Sequence, residues 1–307
     1  MSSTQRPPTL DPIAVERWQR TASGVTPWLH EEVAQRMLDR LQWIKLQPAV
    51  WAHWGAVRGG LQAHAALLKQ YARAQSFVIE SSACRQALAR DALVPPWWKR
   101  LWRGMRGGGS ATRFEAPVPG SVDMLWANMA LHEAADPHAL LTAWHRLLAV
   151  DGFVMFSSLG PDTAREVRDL YAALGWPPAS HQLTDMHDWG DMLVQTGFAE
   201  PVMDMERITL TYETPARLLQ ELRELGRNFH PQRFGSLRGR QWQAKLEQLI
   251  SERLPRGLDG RLLLTFEVIY GHALKARPKI KVSALSAVSV EQMRSMLQDP
   301  RGPSDRA

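Results

Sequence analysis

The stretch from residue 121 to residue 163 constrains the fold of this chain more than any other. An apolar run typical of a buried strand, 124–128, is followed by a helical pattern over 137–149 and by a second apolar run over 152–158. A strand, a helix and a strand in this order make one crossover unit of a parallel sheet. The unit ends in a polar Gly-Pro-Asp-Thr loop, 160–163, at the edge where such sheets bind ligands.

The same alternation of short apolar runs and helical patterns extends over most of the chain. Further strands are predicted over 49–55, 76–80, 202–212 and 262–274, and further helices over 29–46, 59–74, 81–92, 163–174, 189–198 and 240–254. One more helix is predicted to begin at Pro215 with Thr214 as its cap, because proline fits the first helical position and a threonine hydroxyl accepts from a free backbone amide. This order predicts a doubly wound α/β sheet with helices on both faces.

The composition bounds the class of protein. The chain has 307 residues, of which 45% are hydrophobic, so it can bury a large core. The single cysteine, Cys84, excludes a disulfide within the chain, and the ten histidines show no metal-ligand spacing, so no metal is predicted. No apolar run approaches the roughly 20 residues of a membrane span, and the first residues lack a signal pattern, which favours a cytoplasmic protein.

Several motifs match one family of enzymes. They are Asp123, the Asn-Met-Ala-Leu-His run at 128–132, Asp151 with Gly152, the run at 156–163, Gly197 with Phe198, and the segments 218–228 and 264–275. Through these motifs, residues 15–276 resemble the class I S-adenosylmethionine-dependent methyltransferases. Within them the chain is similar to the BioC family, the malonyl-acyl-carrier-protein O-methyltransferases of biotin synthesis. The resemblance implies a Rossmann-like, seven-stranded methyltransferase sheet.

The resemblance also implies that S-adenosylmethionine binds beside a loop with the pattern acidic-x-Gly-x-Gly-x-Gly after the first strand. The aligned run in this chain is 53–59, and it departs from the pattern at two positions. His53 replaces the acidic residue, and Val57 replaces the middle glycine although a β-branched side chain resists a positive φ. The residues expected to hold the cofactor are Gly55, Gly59, Glu80 and Asn128.

Two of these cofactor residues come from later strands. Glu80 ends the second strand, where the resemblance implies a carboxylate that accepts from the ribose hydroxyls. Asn128 follows the strand at 124–128, and it has an alternative role, since its amide can cap the backbone of a loop instead of contacting a ligand.

On the acceptor side, the resemblance implies a substrate that lies between the edge of the sheet and a helical region, 214–256. The residues expected to border it are His132, Gly160, Asp162, Thr163 and Arg227. His132 has a purely structural role as its alternative, and Asp162 has the alternative role of capping the next helix. No catalytic residue is assigned, because a sulfonium methyl is already electrophilic and a carboxylate acceptor is ionised near pH 7, so alignment supplies most of the catalysis.

The net charge of +6 is concentrated in one segment, because residues 85–113 contain seven basic residues and one acidic residue. An insertion predicted over 93–113 carries the run Trp-Trp-Lys-Arg-Leu-Trp-Arg-Gly-Met-Arg at 97–106. This run fits docking on an acidic carrier protein, peripheral contact with a membrane surface, a lid over the site, or a solvated insertion with buried tryptophans. No nucleic-acid partner is expected, because no nucleic-acid-binding fold surrounds it.

Two hypotheses about function remain open. The first is a cytoplasmic methyltransferase of the BioC type, whose domain spans 15–276 between a disordered segment, 1–14, and a loose tail, 277–307. The second is a non-catalytic binding or assembly protein that kept the fold, since a sister branch of the family includes a mitochondrial complex I assembly factor. The presence of His53, Val57 and Arg58 in the loop favours this second hypothesis. So does the lack of any tyrosine before Tyr71, where the resemblance implies one over the acceptor.

Overall fold

Six strands form one sheet in the part of the chain that this computed structural model describes, residues 10–21, 24–94 and 112–277. Their bounds are β1 (Val50–Trp54), β2 (Gln75–Ile79), β3 (Val122–Ala127), β4 (Leu148–Leu159), β5 (Ala199–Tyr212) and β6 (Leu262–Leu274). The order across the sheet is β2-β1-β3-β4-β6-β5. Strands β1 to β4 run parallel, and β6 runs antiparallel to β4 and β5.

The same residues contain ten α-helices and one short 3-10 turn, Leu131–Glu133. The helices are α1 (Pro12–Thr21), α2 (Trp28–Leu41), α3 (Ala56–Gly59), α4 (Leu61–Gln70), α5 (Ala83–Leu93), α6 (Pro137–Leu147), α7 (Arg165–Ala173), α8 (Met186–Thr196), α9 (Pro215–Leu225) and α10 (Arg240–Arg253). The cap predicted for α9 is confirmed, because the Thr214 hydroxyl accepts from the Arg217 amide at 3.2 Å.

Side chains of the central strands alternate between two apolar cores, one on each face of the sheet. Trp51 of β1 and Met124 of β3 belong to the core that α2, α4, α7, α9 and α10 cover. Their chain neighbours Ala52 and Leu125 belong to the core that α6 and α8 cover. The predicted α/β sheet with helices on both faces is therefore confirmed.

The prediction of seven strands is not confirmed, because the described residues form six. Beyond the free edge of β2, Arg113 makes a single parallel bridge. Its amide donates to the Ser76 carbonyl at 2.9 Å, and its carbonyl accepts from the Val78 amide at 2.8 Å. Pro117 and Pro119 follow closely, and proline has no amide hydrogen to extend a ladder. Among the described residues, the sheet therefore ends at this bridge.

The N-terminal part of the chain differs from the prediction. Helix α1 begins at Pro12, inside the segment 1–14 predicted as disordered. Leu10, Val15 and Trp18 are buried with Phe229, so apolar contacts fix this segment on the rest of the chain. Three apolar residues are too few to establish a helical period in the sequence, so the helix is not predictable without Phe229, which buries them.

Other predicted boundaries shift by a few residues. Helix α2 ends at Leu41 instead of residue 46, because Trp43 and Leu46 are exposed and no partner buries a longer helix. The predicted insertion falls mostly on residues 95–111, outside the described residues. The described chain up to Ala276 forms one unit. None of its helices is long and apolar enough to cross a membrane.

Candidate active site

The ends of β1, β2 and β3 bring the predicted cofactor residues to one edge of the sheet. Gly55 and Gly59 follow β1, Glu80 follows β2, and Asn128 follows β3. Strand β1 lies between the other two, so the chain leaves it in one direction for β2 and returns on its other side to β3. In open α/β sheets, the crevice for a ligand lies at such a reversal of strand order.

The loop after β1 accommodates Val57 without strain. Residues 56–59 form the short helix α3, so Val57 has a helical backbone, and the positive φ angles fall on Gly55 (+71°) and Gly60 (+121°). The Val57 side chain is fully buried and packs with Val78 and Phe114. A glycine is therefore required on each side of the turn and not at its centre. The departure from the family pattern is absorbed by a helical turn.

His53 lies below the loop and carries no charge. It is completely buried, its Nδ1 lies 3.3 Å from Nδ1 of His64, and burial holds its pKa well below the usual value for histidine. The ring fills the space under Gly59, where an added Cβ would lie 3.1 Å from His53 Nε2. Where the family pattern has an ionised carboxylate, this chain thus has a neutral ring that packs under the loop.

Asn128 binds the backbone of the loop. Its side-chain amide donates to the His30 carbonyl at 2.8 Å and to the Gly59 carbonyl at 2.5 Å, and its Oδ1 accepts from the Ser157 hydroxyl at 2.6 Å. The Asn128 side chain is buried, and these bonds use both of its polar atoms. Its alternative role, the capping of loop backbone, is therefore the one that the structure contains.

Glu80 keeps one carboxylate oxygen available. Its Oε1 accepts from the Val57 amide at 2.8 Å, while its Oε2 is buried and has no hydrogen-bond partner. Burial raises the pKa of Glu80 to about 7, against the opposing effects of the Val57 amide and the positive charge of Arg85. A buried oxygen without a donor fits a ligand hydroxyl, so the residues present fit the ribose of S-adenosylmethionine.

Beside this edge, a cavity of about 310 Å³ opens between the ends of β4 and β6 and helices α7, α9 and α10. Most of its wall is apolar, contributed by Leu159, Ala164, Val167, Tyr171, Ala179, Leu183, Leu219, Leu222, Leu225, Phe229, Trp242, Leu246 and Phe266. His132, Thr163 and Arg227 also line it, so three of the five predicted acceptor residues meet at one cavity.

His132 presents a hydrogen-bond donor and no charge. Its Nδ1 accepts from the Leu159 amide at 3.3 Å, so the proton of the neutral ring is on Nε2. Burial, with smaller effects of His30, His181 and Arg58, holds the pKa of His132 well below the usual value for histidine. The ring therefore stays neutral at physiological pH and can donate into the cavity.

Gly160 and Asp162 lie outside the cavity wall. A Cβ on Gly160 would come within 2.7 Å of the Glu267 side chain, so the glycine permits close packing there. Asp162 forms ion pairs with Arg207 at 2.7 Å and Arg165 at 3.6 Å. The alternative role of Asp162 as a helix cap is wrong, because Ala164, in a left-handed conformation, precedes α7 and no side chain caps it.

Other polar residues at the cavity carry no motif that the sequence could reveal. His181 lines the wall with its ring 5.2 Å from that of Phe229, and burial lowers its pKa to about 4. Glu133 and Arg168 also line the wall. These three side chains come from a turn, a loop and a helix that meet only in the folded chain, so spacing along the sequence does not connect them.

Curated relatives give one consistent description. The chain is 40% identical over 273 residues to a malonyl-acyl-carrier-protein O-methyltransferase of Gallionella capsiferriformans, covering 86% of this chain and 91% of that protein. It is 38% identical over 260 residues to a protein of the same name from Laribacter hongkongensis, covering 83% and 86%. No protein-family model matches the chain.

Solved structures agree with this description at the level of the fold. A putative methyltransferase from Bacillus halodurans superimposes with a TM-score of 0.52 at 14% identity, covering 79% of this chain and 100% of that one. The YcgJ protein from Bacillus subtilis gives 0.51 at 12% identity, covering 79% and 99%.

Proposed function

The chain belongs to the family of malonyl-acyl-carrier-protein O-methyltransferases, and from this membership we propose that it transfers a methyl group from S-adenosylmethionine to the free carboxylate of a carrier-bound malonyl group. The observation that carries the proposal is a pair of adjacent sites. Glu80, whose buried Oε2 has no hydrogen-bond partner, follows β2, and His132, which lines the cavity, comes after β3 at the same edge of the sheet. Such a reaction belongs to biotin synthesis, and the proposal places it in the cytoplasm.

On the cofactor side, this chain's residues bind and orient. Glu80 Oε2 would accept from a ribose hydroxyl, and Gly55, where nothing lies within 4 Å of an added Cβ, would let the cofactor approach the backbone. Gly59 and Asn128 would act indirectly, since they hold the turn in place. When bound, the cofactor supplies an electrophilic methyl group. Because the carboxylate that accepts it is already ionised, the protein needs no general base.

On the acceptor side, the cavity orients a group that is already nucleophilic. The malonyl carboxylate is ionised at neutral pH, and the His132 Nε2 hydrogen and the Arg227 guanidinium would bind its oxygens or those of the thioester. The apolar wall excludes water, which strengthens these bonds. Alignment of the carboxylate with the methyl group then supplies most of the rate acceleration.

The carrier protein is the proposed partner. Arg168, Arg223 and Arg227 contribute to the cavity wall, and none of them forms an ion pair with another described residue. Arg168 and Arg227 donate to backbone carbonyls, so their charges are not neutralised by a described carboxylate and would attract an acidic carrier. The basic run at 97–106 lies outside the described residues, and nothing in the described part supports the membrane contact that it suggested.

The alternative function, a non-catalytic binding or assembly role, loses its main support at the loop. Val57 was the substitution that suggested a damaged cofactor site, but it occupies a helical backbone conformation with its side chain packed in a core. His53 is likewise accommodated by burial. Neither substitution puts a side chain in a conformation that the loop cannot adopt.

The direct test is methyl transfer from labelled S-adenosylmethionine to two carriers, one with a malonyl and one with an acetyl group. We expect label on the malonyl carrier only, as an alkali-labile ester, because the acetyl group has no carboxylate. No transfer to either carrier, with the cofactor bound, would support the binding role. Equal transfer to both would place the methyl group on the carrier and contradict the proposed acceptor.

The cofactor site has its own test. We expect Glu80→Ala to weaken S-adenosylmethionine binding at least about tenfold in calorimetry, since a charge-assisted hydrogen bond to the ribose is lost. Glu115→Ala is the matched control, because Glu115 is an exposed carboxylate whose only described partner is Arg113 at 3.8 Å. Equal affinity of wild type and Glu80→Ala would contradict the placement of the ribose.

A further inference from the structure

Arg58 connects the cofactor loop to the far wall of the acceptor cavity. Its side chain is only 6% exposed and ends at the C-terminus of α9. There Nη1 donates to the Glu224 carbonyl at 3.0 Å, and Nη2 donates to the Leu225 carbonyl at 2.6 Å. The last carbonyls of a helix lack partners within the helix and carry partial negative charge, so a guanidinium satisfies both needs.

The same guanidinium holds helix α1. Two cations contact the Trp18 ring: the guanidinium carbon of Arg58 lies 5.0 Å from the ring centroid and that of Arg227 lies 4.7 Å from it. Its indole N–H donates to Glu133 Oε1 at 3.2 Å. Nearby, Asp11 pairs with Arg233 at 2.7 Å. Trp18 is thus the point at which α1 meets the loop, α9 and the turn after β3.

One of the groups that Arg58 binds, the Leu225 carbonyl, belongs to a residue of the cavity wall, and Glu133, whose charge attracts Arg58, is another residue of that wall. Leu225, Arg227 and Glu133 all line the cavity, whereas Arg58 itself does not. The charge of Glu133 attracts Arg58, and this attraction opposes the effect of burial, which lowers the pKa of Arg58. Arg58 therefore shapes the cavity through the residues that it binds.

The backbone of Arg58 belongs to the cofactor turn. Its carbonyl lies 2.8 Å from His30 Nδ1, and the carbonyl of the preceding residue, Val57, accepts from the Thr26 hydroxyl at 2.7 Å. The amide of Val57 donates to Glu80, the residue with the open oxygen. One residue thus has its main chain in the cofactor turn and its side chain bonded to the helix end that forms a wall of the acceptor cavity.

We propose that Arg58 is a positioning residue for the methyl acceptor: it holds the end of α9, which forms one wall of the cavity, and the neighbouring helix α1 in register with the cofactor turn. The proposal rests on the function proposed above. Arginine suits the task because its planar fork reaches two successive carbonyls while its face stacks on Trp18. A lysine ammonium can satisfy the carbonyls in part, but it lacks the fork and the planar face.

The test compares three variants in the full-length chain. Arg58→Met keeps the aliphatic volume and removes the donors, Arg58→Lys keeps the charge, and Arg20→Met is the control, because Arg20 is an exposed arginine of α1 that pairs only with Glu16 among the described residues. Hydrogen exchange of residues 12–21 reports on α1 without any substrate. Calorimetry with S-adenosylmethionine and steady-state kinetics with malonyl carrier report on the two sites.

For Arg58→Met we expect amide exchange in α1 to accelerate about tenfold or more. We expect the KM for malonyl carrier to rise about tenfold or more, with cofactor affinity and kcat each within about threefold of wild type. Arg58→Lys should recover part of both effects, and Arg20→Met should match wild type. A rise in KM with unchanged cofactor affinity distinguishes a positioning role from a general loss of structure, because a general loss of structure would weaken the binding of both the carrier and the cofactor.

Unchanged exchange in α1 overturns the proposal, whether or not the enzyme is active. Accelerated exchange with an unchanged KM overturns it as well, since Arg58 would then hold α1 without shaping the cavity. An equal loss of cofactor affinity and acceptor affinity would assign Arg58 to the fold instead. If wild type binds the cofactor but transfers no methyl group, the proposed function fails, and the exchange of α1 still decides whether Arg58 holds that helix.

Discussion

The two sides of the candidate site are built in different ways. The cofactor edge, formed by the ends of β1, β2 and β3, is held by side chains that bond to backbone: Asn128 binds two carbonyls, and Glu80 binds the Val57 amide with one of its oxygens. The acceptor cavity lies under helices from later in the chain, and most of its wall is apolar. The cofactor edge fixes the position of its turn by hydrogen bonds, whereas the acceptor cavity provides a volume for the substrate.

This difference explains why substitutions in the glycine loop need not abolish the site. The turn is specified by bonds that the backbone makes to Asn128, Thr26 and Glu80, and these bonds do not depend on the side chain at residue 57. In the cavity, by contrast, shape depends directly on the side chains of the wall. The cofactor edge should therefore be sensitive to loss of polar atoms, and the cavity to changes of volume and of its supports.

The largest expected effect is at Asn128. We expect Asn128→Ala to lower the free energy of unfolding by about 2–4 kcal/mol, because it leaves buried partners, among them the His30 and Gly59 carbonyls, without their donor. Urea unfolding followed by circular dichroism measures the change.

The matched control is Asn228→Ala on the cavity side. Asn228 is half-buried; it donates to the Pro178 carbonyl at 2.7 Å and accepts from the His230 amide at 2.9 Å. Water can replace part of this network, so we expect a loss of about 1 kcal/mol. If Asn228→Ala cost as much as Asn128→Ala, the contrast between a fixed edge and an adaptable cavity would be lost.

The second prediction concerns pH. The pKa of Glu80 is raised to about 7, so its carboxyl is mostly protonated at pH 6 and mostly ionised at pH 8. The ionised form is the better acceptor for ribose hydroxyls, so cofactor affinity should increase about tenfold from pH 6 to pH 8. Calorimetry at several pH values measures this, and below pH 7 binding should release protons to the buffer.

Glu80→Gln is the control for this assignment, since an amide does not titrate. Its cofactor affinity should vary little over the same range. The raised pKa of Glu80 also affects folding. A carboxyl whose pKa is raised on folding lowers the free energy of unfolding as pH rises from 4.5 towards 7. Glu80→Gln should therefore gain stability relative to wild type as pH rises through that window. An equally steep pH dependence in Glu80→Gln would assign the titration to another group.

The parts of the structure that local sequence determines were predictable. The strand-helix-strand unit and the Thr214 cap follow from periodicity and backbone chemistry within a few residues. Helix α1 was not predictable in this way, because Trp18 gains its partners Arg58 and Glu133 only in the folded chain. The glycine pattern predicts a strained backbone at Val57, and this prediction is wrong because the turn has its positive φ angles at Gly55 and Gly60.

The candidate site divides in the same way. Glu80, His132 and Thr163 could be named from motifs, because each follows a strand whose end reaches the same edge. His181 could not, since it lies in a loop without a pattern and reaches the cavity through its contact with Phe229. The link from Arg58 to α9 spans residues that are far apart in the chain, and nothing in local spacing indicates it.

The smallest expected effect compares two left-handed residues, one on each side of the site. Ala164, at the cavity, has a φ of 51°, and Met129, at the cofactor edge, has a φ of 54°. Glycine relieves the strain of this conformation at both positions. Ala164→Gly removes only one methyl group, so we expect a net gain of about 0.5 kcal/mol in the free energy of unfolding.

Met129→Gly relieves the same strain but removes a side chain that is almost fully buried in the core, so we expect a net loss of about 1–2 kcal/mol. Urea unfolding of both variants measures the difference. Opposite signs would mean that burial of the Met129 side chain compensates for the strained backbone at the cofactor edge. They would also mean that the Ala164 methyl group does not compensate for the strained backbone at the cavity. A loss of similar size at both positions would instead mean that the Ala164 methyl group is packed as firmly as the Met129 side chain, and the cavity wall would then be as fixed as the cofactor edge.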